Sequence, residues 1–69
     1  MPLTMAKIGE SNMIKKIGGR EDTKKFLEKL GFVTGGKVTV ISEISGNMIL
    51  KVKDSRVALS KDMTNKILI

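Results

Sequence analysis

The tripeptide Ser45-Gly46-Asn47 lies between two runs suited to extended backbone, and this constrains the chain more than any other feature. Upstream, Lys37 to Ile44 carries the β-branched residues Val38, Val40 and Ile41. Downstream, Met48, Leu50 and Val52 alternate with Ile49, Lys51 and Lys53. A tight turn flanked by such runs predicts a hairpin. The period of two turns one face of the second strand inward and leaves a mostly basic face outside.

The rest of the chain is read outward from that hairpin. Asp54-Ser55 predicts a further turn, and Arg56 to Leu59 a strand that extends the meander. Ser60 can cap a short helical turn through Met63 to Lys66, and Ile67 to Ile69 closes the chain as a strand. On the N-terminal side, Met13, Ile14 and Ile17 read as the first strand, stopped by Gly18-Gly19. Residues 20–30 form the one good helix. Glu21 and Asp22 occupy its first turn, Phe26, Leu27 and Leu30 share a face, and Gly31 can end it in the left-handed region. Phe32 to Gly36 is a turn. Residues 1–11 are an irregular lead-in with Leu3, Met5 and Ile8 as core contacts.

These elements predict an all-β fold: a small, SH3-like, five-stranded barrel. One helix lies between the first and second strands, and a short helical turn precedes the last. Closing such a barrel removes the exposed edges of a lone small sheet. At 69 residues the chain is one domain, 1–69, with a thin core. No apolar run reaches the roughly 18–20 residues of a membrane span, and no signal peptide is read, so the expected location is cytoplasmic.

The composition removes most catalytic chemistry. There is no Cys and no His, hence no disulfide, thiolate nucleophile, imidazole base or soft metal site. The acids Glu10, Glu21, Asp22, Glu28, Glu43, Asp54 and Asp62 show no calcium-loop spacing. Binding of a hard divalent cation would therefore rest on scattered carboxylates. The five Met residues are dispersed and suit a core better than a copper site. Gly31-Phe32-Val33-Thr34-Gly35-Gly36-Lys37 has the spacing of a phosphate-binding loop. It ends a helix and opens a strand, however, the reverse of what that loop requires. No cofactor is implied, and the chain is not expected to be an enzyme.

The remaining function is binding. Thirteen basic residues against seven acidic give a net charge of +6, which favours acidic partners. Lys51, Lys53 and Arg56 would project from neighbouring strands, with Lys24 and Lys25 on the helix exterior. An alternating row of Lys also serves merely to keep a strand soluble. Phe26 and Phe32 are the only aromatics, and both are expected in the core. That leaves no aromatic groove for proline-rich ligands and no stacking platform for bases.

Residues 24–35, Lys-Lys-Phe-Leu-Glu-Lys-Leu-Gly-Phe-Val-Thr-Gly, resemble the ferrous iron transport protein A family. So do Val38-Thr39-Val40, Gly46-Asn47, Ser55-Arg56-Val57-Ala58-Leu59, and Leu3 with Ile8-Gly9 at the start. Thr34 stands where that family often has Pro. The resemblance implies a cytosolic accessory of ferrous iron uptake and carries no catalytic residues onto this chain; no metal-ligating residues are assigned. Its implied partner is the GTPase-bearing cytosolic part of the membrane ferrous iron transporter, with the membrane reached only through that partner. The expected partner-contacting residues are Lys25, Glu28, Lys29, Phe32, Lys51 and Lys53. Leu27, Leu30, Gly31 and Gly35 shape the surface. A homo-oligomer is compatible with the short edges. The alternative is a small basic domain that binds nucleic acid or belongs to a metal-dependent regulator.

Overall fold

The computed structural model describes residues 1–69. A single 3₁₀ turn at Leu3–Met5 precedes β1 (Ser11–Met13), β2 (Lys16–Ile17) and α1 (Glu21–Leu30). Then follow β3 (Lys37–Ile44), β4 (Asn47–Val52), β5 (Ser55–Ser60), α2 (Lys61–Thr64) and β6 (Ile67–Leu68). One antiparallel sheet has the order β1-β3-β4-β5, and a second pairs β2 with β6. The barrel is not closed: β5 has β4 as its only neighbour.

There are six strands rather than five, because the expected first strand is two. Ile14 and Ile17 are both buried but three residues apart, a spacing that one strand of period two places on opposite faces. The chain solves this by changing sheets at Ile14-Lys15. β1 joins β3, while β2 joins β6.

The central hairpin forms where expected, but its loop is Ser45-Gly46 alone: Asn47 already belongs to β4, opposite Ile44. Both loop residues have positive φ, 47° and 82°, the twist that matches paired strands. The next loop is Lys53-Asp54, one residue earlier than expected. Lys53 itself takes φ 54°. A bulge at Ile41, between Val40 and Ser42, bends β3.

Twelve apolar side chains form the core, among them Leu3, Ile14, Leu27, Phe32, Val38, Leu50 and Ile67. Three expected core contacts are corrected. Met5 is 68% exposed, Ile8 64% and Phe26 48%. Phe26 lies about 100° from Leu27 and about 40° beyond Leu30, at the edge of the stripe that packs inward, so its side chain is only half covered. That stripe runs through Thr23, Leu27 and Leu30, with Leu30 partly buried against the core.

Gly31 ends α1 at φ 106°. Its N–H donates to the Glu28 carbonyl at 2.9 Å, and the Phe32 N–H donates to the Leu27 carbonyl at 3.0 Å. At the next helix Ser60 Oγ accepts the Met63 N–H at 3.3 Å, so Ser60 caps α2 as expected. Thr64, fully buried, donates its hydroxyl to the Ser60 carbonyl at 2.8 Å. The chain ends lie together: the Met1 ammonium donates to the Ile69 carbonyl at 3.0 Å, and the Ile69 N–H to the Met1 carbonyl at 2.7 Å. No helix is long and apolar enough to cross a membrane.

Candidate interaction surface

The expected contact residues fall into two groups. Lys25, Glu28 and Lys29 are exposed on α1. Phe32 is corrected: it is wholly buried and offers no side chain to a partner. The cause is the helix end itself. The Phe32–Leu27 bond folds the chain back over the last turn and tucks Phe32 beneath it.

Glu28 also lines a cleft of about 280 Å³ with Lys16, Ile17, Lys24, Val33 and Thr34. Three elements build it. β2 sends Ile17 into the core and leaves Lys16 outside. α1 places Lys24 and Glu28 one turn apart. The α1–β3 loop is tied down by two bonds: Ile14 N–H to the Gly36 carbonyl at 2.8 Å, and Gly35 N–H to the Ile14 carbonyl at 2.7 Å. Gly35 has φ 86°, which a side chain would strain. Two ammoniums, one carboxylate and one hydroxyl line the cleft, which leaves it with a net positive charge. Lys16, Lys24 and Thr34 were not expected to meet. Their union depends on β2 reaching the helix, which no local pattern in the sequence records.

The second group lies on the outer face of the larger sheet. Lys51 is exposed there, paired across the sheet with Thr39 on one side and Arg56 on the other. Lys53 sits in the β4–β5 loop instead of on that face. A Cβ built on Gly31 would lie 3.6 Å from Val52 Cγ2 and 3.7 Å from Lys53 Cδ. The stem of Lys53 therefore runs beside the C-terminal end of α1, where the helix dipole favours a cation. This joins Lys53 to the helix group.

No three acidic side chains converge to hold a metal ion. The phosphate-loop lookalike wraps the C-terminal end of α1, the negative end of the helix dipole, which repels an anion.

The family model described as FeoA domain matches residues 1–69. A protein of Methanocaldococcus jannaschii named for Fe(2+) transport protein A is 32% identical over 68 residues, 99% of this chain and 83% of that one. The zinc complex of FeoA from Stenotrophomonas maltophilia, described as a prokaryotic SH3 domain protein, superposes with a TM-score of 0.85 at 19% identity. That match covers 99% of this chain and 87% of the other. Iron(II) transport protein A from Clostridium thermocellum gives 0.91 at 20% identity, covering 99% and 43%. The small SH3-like fold is thereby established.

Proposed function

This chain belongs to the FeoA domain family, and from that premise we propose that it is a cytosolic accessory of ferrous iron uptake, acting on the GTPase-bearing cytosolic part of the membrane ferrous iron transporter. The observation that carries this reading is the family match along the whole chain, together with a relative named for Fe(2+) transport. The geometry supports a role through contact: exposed Lys16 and half-buried Lys24 flank a small cleft beside Glu28, with Lys25 and Lys29 exposed on the same helix. The face that docks is α1 with its cleft, through Lys16, Lys24, Lys25, Glu28 and Lys29, with Lys53 at its lower end.

The experiment is an NMR titration of the isotope-labelled domain with the GTPase-bearing fragment of the transporter. Amide shifts confined to α1, Lys16, Thr34 and Lys53 are expected. Duplex DNA, added separately at low salt, is expected to leave the spectrum unchanged. No response to the fragment, with salt-sensitive shifts on the Lys51–Arg56 face from DNA, would overturn the proposal in favour of nucleic-acid binding.

A further inference from the structure

β5 carries an unused row of backbone hydrogen-bonding groups. The loop Lys53-Asp54 makes Val52 and Ser55 the hydrogen-bonded pair that closes the hairpin. Antiparallel ladders alternate, so Leu50 with Val57 and Met48 with Leu59 also exchange bonds with β4. The intervening residues, Arg56 and Ala58, direct their N–H and C=O groups away from β4. No other strand lies on that side, and no loop or turn bond uses these groups. A six-residue strand without Pro or a bulge is an open template for one more strand.

The side chains beside that edge say what the added strand carries. Lys51 and Arg56 stand directly opposite each other, in the class of pair where side chains approach most closely. Like charges in that position cost stability. Neither has an acidic partner: the ion pair of this domain is Lys61 with Glu43. The next pair along the same face is Ile49 with Ala58, half-buried and exposed respectively. On the other face Val57 is half-buried.

We infer that the free edge of β5 receives an extended acidic segment of a partner protein by strand addition. The segment bonds the N–H and C=O groups of Arg56 and Ala58. Its acidic side chains lie over the Lys51–Arg56 pair, and its apolar residues fall beside Val57. The local repulsion between Lys51 and Arg56 is then relieved on binding. A second copy of this chain suits the edge poorly, because it brings a further net charge of +6. The inference concerns a surface separate from the α1 cleft and holds whichever protein supplies the segment.

The test uses the isotope-labelled chain and a capped peptide, acetyl-Ser-Glu-Val-Glu-Val-Glu-Ser-amide, with its Glu-to-Lys counterpart as control. The acidic peptide is expected to shift the amides of Arg56 and Ala58 most and to slow their hydrogen exchange. The basic peptide is expected to bind at least about tenfold more weakly. Ala58→Pro removes an N–H that β4 does not use, so the spectrum stays folded and acidic-peptide binding is lost. Arg56→Glu keeps every backbone group and is expected to reverse the preference between the two peptides. Equal binding of both peptides, shifts centred on α1, or no response by about 1 mM peptide would overturn the inference. So would concentration-dependent broadening of the β5 amides without peptide, which would make the occupant a second copy.

Discussion

The Phe32 N–H bonds the Leu27 carbonyl at 3.0 Å, and the side chains of both residues are wholly buried. One contact thus ends the helix, seats it on the core and holds the loop that floors the cleft. Leu27→Ala is expected to destabilise the domain by about 2–5 kcal/mol. Phe26→Ala, one residue away but half-exposed, is expected to cost much less. Urea unfolding of both variants decides it; equal losses would place the two side chains in equivalent surroundings.

Gly31 has room for a methyl group, with its nearest neighbour at 3.6 Å, yet its φ of 106° suits only glycine. Gly31→Ala is therefore expected to cost about 1–2 kcal/mol through backbone strain alone. A chemical denaturation midpoint unchanged from the parent would show that the helix end relaxes instead.

The cap at Ser60 is a single, rather long bond of 3.3 Å to the Met63 N–H. Ser60→Ala is expected to cost about 0.5–1 kcal/mol, the lower part of the range for such caps. Thr64→Val removes a buried hydroxyl bonded to the Ser60 carbonyl, and its cost, expected near 1 kcal/mol, is set by that one lost bond. Thermal melts of the two single variants would rank them.

Opposed across β4 and β5, Lys51 and Arg56 repel. Arg56→Glu turns that repulsion into attraction and is expected to raise stability by a few tenths to about 1 kcal/mol at low salt. The gain is expected to fade in about 1 M salt, where charges are screened within roughly 3 Å. A salt-independent gain would assign the effect to something other than charge.

On the helix side, reversing Lys25 and Lys29 to Glu leaves the core untouched, since both side chains are exposed. Binding to the transporter fragment is expected to fall by about tenfold or more, while the melting temperature drops by only a few degrees, from the acid placed in the last helical turn and the lost Glu21–Lys25 pairing. Undiminished binding would move the docking face off α1.

Much of this architecture was legible in the chain. Val38, Val40, Leu50 and Val52 announce two paired strands, and Ser45-Gly46 the loop between them, because side-chain period and turn chemistry are local properties. The split of the first strand was not legible. Ile14 and Ile17 look like one apolar run until the second sheet exists to receive Ile17. Of the two Phe residues expected in the core only Phe32 is there, and its burial removes it from the expected contact surface, for a similar reason. Apolar character alone does not say which helical arc faces inward, and the reversal after Gly31 is what buries Phe32. The α1 cations were visible as a charged helix face. The cleft they share with Lys16 and Thr34 arises only from tertiary docking.

The bonds between Met1 and Ile69 make the domain nearly a ring. Entry and exit of the chain coincide, so a host polypeptide could carry this unit as an insert between two adjacent residues, with little distortion of either. By the same token a permuted chain, its ends joined by a short Gly-Ser bridge and reopened between Ser45 and Gly46, would trace the same fold, since that exposed loop is the one place where the central hairpin is held by two residues alone.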